Sequence, residues 1–300
     1  MISSIPILAS AFLAAASLAA AHPSSSSPST TKRGTGVIQC PVVLSGLVSS
    51  GATVADFDAA ATSPFSPDFV RGSEPFSQIL LLPGVAAAPG SRFDNDNSTQ
   101  ALEVTIDDAS VFQTQNGFRR VGLQFRDDAN EGGPGAVGVR TLHWSVKQDP
   151  ARPLNLTHEY LNVWHEAADF SANQFNFEMG TIIGTSGADK NNFKILNRQN
   201  TEVFSVPVDD AAWQNFAITL DFDKNTIQIY YSAGDEPLEA VTDVLTNDNS
   251  GGGQYQIGML KKPTGTDDVV NSGFQETGID EGQIYGGLFL EDSADGCISL

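Results

Sequence analysis

The sequence has few residues of the kinds that build metal, redox and nucleic-acid sites. Of its 300 residues, 2 are cysteine, 4 are histidine and 16 are lysine or arginine, against 36 aspartate and glutamate residues. Two cysteines alone cannot complete a zinc site, and a net charge of −20 disfavours contact with nucleic acid or an anionic membrane. We therefore expect neither nucleic acid nor a membrane as the partner, whereas a neutral polysaccharide would meet no repulsion.

Motifs that signal nucleotide or serine-nucleophile chemistry are also absent. The sequence contains no G-x-S-x-G, no phosphate-binding loop, no zinc spacing and no dinucleotide fingerprint. His158 and His165 are an odd number of residues apart in a predicted strand, so a shared metal is not expected. Aspartate pairs such as Asp107-Asp108 fall in predicted turns, where solvated loop charge is expected and structural calcium is the alternative.

Long apolar runs are missing everywhere except at the start of the chain. Residues 1–21 are apolar and small and end in Ala19-Ala20-Ala21, an A-x-A cleavage pattern, although no lysine or arginine precedes the run. The pattern indicates a secretory signal peptide, because the run is short for a membrane anchor and polar sequence follows it. The protein is therefore expected to be secreted and extracellular.

A Ser/Pro/Thr-rich segment follows over residues 22–36. Its composition is that of a flexible or O-glycosylated linker, and the dibasic pair Lys32-Arg33 makes a processed propeptide the equal alternative. Residues 37–300 are long enough to bury a sizeable core and are predicted to form one domain, which we expect to be monomeric.

Two covalent features of this domain fit secretion. Cys40 and Cys297 lie near its two ends, and in a secreted chain a disulfide between them is the expected arrangement. Asn97 and Asn155 each begin an N-x-[ST] glycosylation acceptor, which predicts surface positions for both.

Helical periodicity is nearly absent, and short apolar or β-branched runs recur between clusters of Gly, Asn, Asp and Pro. Two strongly alternating runs, residues 213–222 and 226–232, flank Asp223-Lys224-Asn225 as a hairpin would. So many strands without βαβ spacing predict an all-β jelly roll, a concanavalin-like sandwich of two antiparallel sheets with an open cleft.

Three predicted strands each have one fully polar face. In residues 118–125, for example, Arg120, Gly122 and Gln124 alternate with apolar neighbours. We interpret these faces as the floor of a cleft for a polar ligand, and a solvated outer sheet is the alternative. The residues predicted to bind substrate are Arg120, Gln124, His143, Gln174, Asn176 and Glu178.

Two glutamates are candidates for acid–base work on a glycosidic bond, which needs two carboxyl groups. Glu159 and Glu166 flank one predicted strand but are an odd number of residues apart, so an unbroken strand would place them on opposite faces. Alternation alone favours Glu166 as the cleft residue, because it shares a face with Tyr160 and Trp164.

Several blocks of the sequence together resemble one known family. They are S-P-F-S-P-D-F-V at residues 63–70, F-Q-T-Q-N-G-F-R-R at 112–120, R-P-L-N-L-T-H-E-Y at 152–160, N-Q-F-N-F-E-M-G-T-I-I-G at 173–184, W-Q-N-F-A-I-T-L-D-F-D at 213–223, G-M-L-K-K-P-T-G at 258–265 and G-I-D-E-G-Q-I-Y-G-G-L-F-L-E at 278–291. In collinear order they resemble glycoside hydrolase family 131, a group of secreted fungal β-glucan-degrading enzymes. The resemblance implies a β-jelly roll and activity on β-1,3-, β-1,6- and β-1,4-linked glucans without a cofactor.

The resemblance also assigns the catalytic positions. One catalytic glutamate of the family matches Glu159, which we therefore rank before Glu166. A β-bulge in that strand would reconcile this ranking with the alternation pattern, which favours Glu166. The other family carboxylate lies in a stretch resembling F-R-R-A-E-L, and Gly122 stands at its position here. Unless Glu131, Glu166 or Glu178 replaces it, the chain should bind glucan and cleave it poorly.

Three functions therefore follow as hypotheses. The first is a β-glucan hydrolase with a rearranged catalytic pair, and the second is a glucan-binding protein on the same scaffold. A polysaccharide lyase is the third, supported by Arg120 and His143 but opposed by the acidic net charge, since its uronate substrates are anionic.

Overall fold

The computed structural model describes residues 36–69, 72–94 and 98–300. The predicted signal peptide over residues 1–21, nearly all of the segment 22–36 with Lys32-Arg33, and the acceptor Asn97 lie outside these residues. Within the described ranges, no helix is long and apolar enough to cross a membrane.

Short extended segments make up nearly all of the regular structure, because alternating apolar residues between turn residues favour strands. The strands are β1 (Val42–Ser45), β2 (Val48–Ser49), β3 (Leu80–Leu81), β4 (Thr99–Gln100), β5 (Leu102–Asp107), β6 (Arg119–Leu123), β7 (Val139–Gln148), β8 (Glu159–Glu166), β9 (Asn173–Gly180), β10 (Asn192–Asn197), β11 (Glu202–Pro207), β12 (Gln214–Asp221), β13 (Thr226–Ala233), β14 (Glu239–Ala240), β15 (Leu245–Thr246), β16 (Gln254–Lys261) and β17 (Asp280–Asp292). The helical pieces are α1 (Phe76–Ile79), α2 (Gly84–Ala87) and the 3-10 segments Val54–Asp58 and Pro134–Ala136.

The strands form two large antiparallel sheets. The nine-stranded sheet has the order β14-β13-β12-β7-β17-β5-β3, with β1 added beside β17 and β15 beside β13. The six-stranded sheet has the order β11-β10-β9-β8-β16-β6, and β2 pairs with β4 in a separate ribbon. The predicted all-β sandwich of jelly-roll type is therefore confirmed.

An aromatic cluster joins the two sheets across the core. Trp144 of β7 lies 5.4 Å from Phe216 of β12 and 5.2 Å from Phe177 of β9, measured between ring centroids. All three rings are at most 1% exposed. Their strands alternate apolar and polar residues, so packing these rings in the core turns the intervening polar side chains of each strand to the outside of the sandwich.

A β-bulge in β8 changes the face on which half of this strand presents its side chains. Leu161 pairs with Glu178 and Val163 pairs with Phe177, so Asn162 is one extra residue on β8. One extra residue reverses the alternation that follows it. This bulge reconciles the alternation pattern with the family resemblance, because Glu159 and Glu166 lie on the same outer face of the six-stranded sheet.

The two ends of the domain are tied together. Cys40 and Cys297 form the predicted disulfide, with 5.8 Å between their Cα atoms. Beyond Cys297, the Ser299 hydroxyl donates a hydrogen bond of 2.7 Å to Glu291 Oε2, and the Arg92 guanidinium donates one of 2.7 Å to the Leu300 carbonyl oxygen. The disulfide therefore works together with side-chain contacts that hold the C-terminal segment against the nine-stranded sheet.

Candidate active site

The six-stranded sheet has one face in the core and an opposite face that carries most of the candidate residues, which we call the polar face. Cross-strand partners such as Leu161 and Glu178, or Trp164 and Asn176, place these side chains next to one another. The polar face comprises Arg120, Glu159, Leu161, Trp164, Glu166, Asn176, Glu178, Lys194, Gln254, Gln256 and Leu260, and Gln124, one residue beyond β6, continues the alternation of Arg120 and Gly122. Four of the predicted binding residues, Arg120, Gln124, Asn176 and Glu178, are therefore brought together.

Glu159 begins β8, and both of its carboxylate oxygens are engaged. Oε1 forms an ion pair with the Lys262 ammonium group, and Oε2 accepts a hydrogen bond of 2.6 Å from the Ile183 backbone N–H. The backbone N–H of Lys262 also donates to the Glu159 carbonyl oxygen over 2.8 Å. The segment after β16 and the β9–β10 loop thus hold this carboxylate in place on the polar face, where Glu159 is 3% exposed.

Glu178 is the carboxyl group next to Glu159. It lies on β9, two residues along from Gly180, the cross-strand partner of Glu159, so the two side chains are diagonal neighbours on one face. Glu178 is 2% exposed, and its Oε2 has no hydrogen-bond partner among the described residues. Burial, and then the charge of Glu159, raise the pKa of Glu178 from 4.5 to about 8 against the opposing charges of Lys262 and of Lys194, its cross-strand partner on β10.

Arg120 and Glu166 mark another part of the polar face. The Arg120 guanidinium lies 5.7 Å from the Trp164 ring centroid and donates a hydrogen bond of 3.0 Å to Gln115 Oε1. Burial lowers the pKa of Arg120 to about 10, with the Glu166 charge opposing it. Burial also raises the pKa of Glu166, against the Arg120 charge. A cation stacked on an indole ring is a suitable wall for a polar ligand.

Glu159 and Glu166 cannot act on the same bond, although they share a face. They are the first and last residues of β8, and a rise of about 3.3 Å per residue separates them by roughly 20 Å. Carboxyl pairs of glycoside hydrolases are about 5–9.5 Å apart. The two glutamates predicted as catalytic therefore do not form one catalytic pair.

Among the residues that the structure describes, no carboxyl group occupies the position that the resemblance assigns to the other catalytic glutamate. Gly122 of β6 pairs with Gly258 of β16, so neither strand presents a side chain there. Glu131, one suggested replacement, lies in an exposed turn outside the sheet. Glu178 is the carboxyl group that the fold places nearest to Glu159 across a strand pair.

His143 does not lie on the polar face. It belongs to β7 of the other sheet, is fully buried, and has its Nε2 2.8 Å from Glu291 Oε1. Its ring also stacks on Phe289 at 4.4 Å between centroids. The prediction that His143 lies in the cleft was wrong. Apolar and polar residues alternate in the strands of both sheets, so this pattern does not reveal that the C-terminal segment covers the nine-stranded sheet at His143.

Gln174 also differs from its predicted place. The pairing of β8 with β9 shifts by one residue between His165 and Glu166, so Gln174 is turned towards His165. Its Oε1 lies 2.7 Å from His165 Nδ1, and its amide nitrogen donates to the carbonyl oxygens of Ser250 and Gly252 over 3.1 Å each. The whole amide is therefore used within the protein, and it is not available to a ligand.

Sequence reasoning missed three residues of the site. Gln254 and Gln256 are at most 1% exposed, yet neither side-chain amide has a hydrogen-bond partner within the part of the chain that the structure describes. Because an unpaired buried amide is costly, these groups point to a polar ligand or water in the cleft. Their alternation with Tyr255 and Ile257 was the available signal, whereas nothing local identifies Lys262 as the partner of Glu159.

Carboxyl groups also meet away from the polar face, beside a cavity of about 740 Å³. There Arg152 lies 3.4 Å from Glu103 and 3.0 Å from Asp149. Burial and then the Asp149 charge raise the pKa of Glu103 to about 7. Since Arg152 bridges both carboxyl groups, we assign this cluster to structure. In the described ranges, no group of three or more His, Cys, Asp or Glu residues could hold a metal ion.

We expect the folded protein to be less stable at alkaline than at mildly acidic pH. Burial raises the pKa of three carboxyl groups, to about 8 for Glu178, about 7 for Glu103 and about 6 for Asp128. These groups bind protons more tightly when folded than when unfolded, so their contribution to stability is lost as the pH rises from about 4.5 to about 8. Burial lowers the pKa of His165 from 6.5 to about 4, which opposes part of this loss below pH 6.5 but involves one group against three. Urea unfolding across this window should give a falling free energy, and a shallower fall in Glu178→Gln. A constant or rising free energy would contradict the prediction.

Comparison with known proteins agrees with this architecture. The family model described as the glycoside hydrolase 131 catalytic N-terminal domain matches residues 42–296. The crystal structure of a GH131 β-glucanase catalytic domain from Podospora anserina is 20% identical, with a TM-score of 0.67, over 86% of this chain and 97% of that one. The catalytic domain of the glycoside hydrolase family 131 protein from Coprinopsis cinerea is 22% identical, with a TM-score of 0.64, over 86% of this chain and 96% of that one.

No curated protein sequence matches the chain. The two crystal structures establish the common fold, and the family model, which spans most of the sequence, establishes the relationship. The family model covers both sheets, including Glu159 and the rest of the polar face. Membership of this glycoside hydrolase family implies a polysaccharide substrate. The chain is a member of glycoside hydrolase family 131.

Proposed function

We propose that this protein is a secreted β-glucan hydrolase that acts on β-1,3/1,6- and β-1,4-linked glucans, with Glu159 as one of its catalytic carboxylates. The observation that carries the proposal is the bulge at Asn162, because it brings Glu159, the residue matching the family's catalytic glutamate, onto the face that also carries Arg120 and Trp164. A carboxylate held between an ammonium group and a backbone N–H is preorganised for one role in hydrolysis.

The character of the polar face supports a neutral carbohydrate as the substrate. Free amide donors and acceptors on Gln254 and Gln256 suit sugar hydroxyl groups. The Arg120 guanidinium lies over the buried Trp164 ring, and its Nε has no hydrogen-bond partner among the described residues, so it can donate to a sugar hydroxyl group. The net charge of −20 would repel anionic polysaccharides. The Podospora anserina relative is a β-glucanase, which supports the same substrate class here.

Glucan binding without cleavage is the second candidate function. The specific observation in its favour is the glycine pair Gly122 and Gly258, which leaves no carboxyl group at the second family position. Such a protein would bind glucan through the polar face but would not cleave it. The two candidates therefore differ in product formation and agree in binding.

The test is to incubate the purified protein with laminarin, mixed-linkage β-glucan and, as a charged control, alginate. We expect new reducing ends from both glucans and neither binding nor product with alginate. Glucan binding without reducing ends would support the second candidate instead. Product from alginate, with unsaturated ends, would contradict both candidates and support a lyase.

We also propose that the chain enters the secretory pathway and carries a glycan at Asn155. Asn155 is only partly buried, and Thr157 Oγ1 donates to its Oδ1 over 2.8 Å. Its amide nitrogen donates a hydrogen bond of 2.8 Å to Glu276 Oε1, which a glycosylated amide can keep through its remaining N–H. Mass spectrometry of the secreted protein before and after enzymatic deglycosylation tests this, and an unmodified Asn155 would contradict it.

A further inference from the structure

Gly122 supplies no carboxylate that could donate a proton in the proposed reaction, but Glu178 lies on β9, on the other side of β8 from β6. Glu159 and Glu178 lie on the same face of adjacent strands, offset by two residues. Diagonal neighbours of this kind have Cβ atoms somewhat less than about 7–8 Å apart. Carboxyl groups extending from such positions can reach the separations of about 5–9.5 Å that glycoside hydrolysis uses.

The surroundings of the two groups give them opposite roles. Glu159 has an ammonium group and a backbone N–H as the partners of its two carboxylate oxygens. Glu178 is buried beside that negative charge, and its Oε2 has no partner among the described residues, both of which favour a neutral carboxylic acid. The charges of Lys262 and of Lys194, the buried cross-strand partner of Glu178 on β10, act in the opposite direction without cancelling this effect. A buried carboxyl group with a raised pKa beside an ion-paired carboxyl group fits the roles of acid and base.

We infer that Glu178 is the general acid of this protein and replaces the carboxylate that Gly122 lacks, while Glu159 acts as the base. This inference rests on the proposed hydrolase function. The Glu178 proton passes to the glycosidic oxygen as the bond from that oxygen to C1 breaks, with both bonding electrons going to the oxygen. A water oxygen forms the new bond to C1 and gives one proton to Glu159. That proton returns to Glu178 through solvent before the next turnover.

The test compares Glu178→Gln with Glu202→Gln, a matched control at an exposed position in the same sheet. On laminarin, Glu178→Gln should lower kcat/KM by about 10²–10⁴-fold, the usual value of general acid–base assistance, while Glu202→Gln changes it little. On a dinitrophenyl β-glucan oligosaccharide, whose leaving group needs no proton, the loss should be less than about tenfold. Equal losses on both substrates would overturn the inference, because a structural defect does not distinguish leaving groups.

A second variant tests the replacement itself. Adding Gly122→Glu to Glu178→Gln restores a carboxyl group at the family position, and we expect it to recover laminarin activity by more than about tenfold. Failure of this rescue, with the variants folded and binding laminarin as the parent does, would count against Glu178 as the substitute donor.

The wild-type protein gives an independent measurement if the variants do not fold. Because the acid must be protonated, kcat/KM on laminarin should fall on the alkaline side with a pKa near 8, the value expected for Glu178. A fall that begins near pH 5 would overturn the assignment. Wild-type protein that cleaves no glucan at any pH would instead overturn the proposed function, so the two failures are distinguishable.

Discussion

Glu159→Gln should reduce the rate of reducing-end release from laminarin by about 10³–10⁴-fold, because it removes the carboxylate that the reaction requires and keeps the shape of the side chain. Binding should be nearly unchanged, since an amide still fills the space beside Lys262 and can still accept the hydrogen bond from Ile183. Initial rates and laminarin affinity, measured on equal amounts of folded protein, check both expectations.

The control for this prediction is the exposed Glu202→Gln on β11, and the comparator is Glu166→Gln at the far end of β8. We expect no change in the first. In the second, we expect weaker binding with a smaller effect on kcat, since Glu166 lies roughly 20 Å from Glu159 along the strand. A large kcat loss in Glu166→Gln with normal turnover in Glu159→Gln would reverse the assignment of the catalytic glutamate.

Replacing both cysteines by serine should lower the free energy of unfolding by about 4–5 kcal/mol. The disulfide closes a loop with a sequence separation of 257 residues, and the stabilisation from restricting the unfolded chain grows with loop length. For a domain of this size, such a loss corresponds to a fall in Tm of about 10–15 °C. Calorimetry of C40S/C297S against the oxidised wild type measures it.

Reduced wild-type protein is the matched control for this variant, because it has the same sequence and lacks only the bond. Both should unfold at the same lower temperature. The C-terminal contacts of Ser299 with Glu291 and of Arg92 with Leu300 should loosen as well, which proteolysis of the C-terminal segment would detect. An unchanged Tm would mean that these contacts alone hold the domain's two ends.

The sequence predicts the fold well because the two-residue alternation of apolar and polar side chains in a strand is a local signal. Trp144, Phe177 and Phe216 reach the core from segments whose alternation is plain in the sequence, and the two cysteines follow from their positions at the ends of the domain. The disulfide and the two-sheet sandwich are confirmed on this basis. Local patterns are sufficient for the core, because they show which side chains of a strand face inward and which face outward.

The site is less predictable because it depends on irregularities and on pairing between distant segments. Alternation alone places Glu159 and Glu166 on opposite faces, and only the extra residue Asn162 brings them to one side. The register shift at Gln174 and the covering of His143 by the C-terminal segment are equally invisible in a single strand. The contact of Lys262 with Glu159 spans 103 residues, so no local pattern encodes it.

The proposed pair of Glu178 and Glu159 would compensate for the carboxylate that is missing at Gly122. Gly122 contributes no side chain on β6, whereas β9, on the opposite side of β8 from β6, carries Glu178 on the same face. Both Glu159 and Glu178 are only slightly exposed at the polar face, so little solvent surrounds them. Electrostatic interactions between buried groups of this kind are stronger than those between groups on an exposed surface.

The most direct measurement is to incubate the intact protein with a β-1,3-glucan oligosaccharide of defined length in water enriched in oxygen-18. Mass spectrometry then follows both the length of the oligosaccharide and the label. We predict shorter oligosaccharides that carry one oxygen-18 atom at each new reducing end, formed by the wild type and not by Glu159→Gln. An oligosaccharide that stays bound, intact and unlabelled would contradict hydrolysis and leave glucan binding as the function.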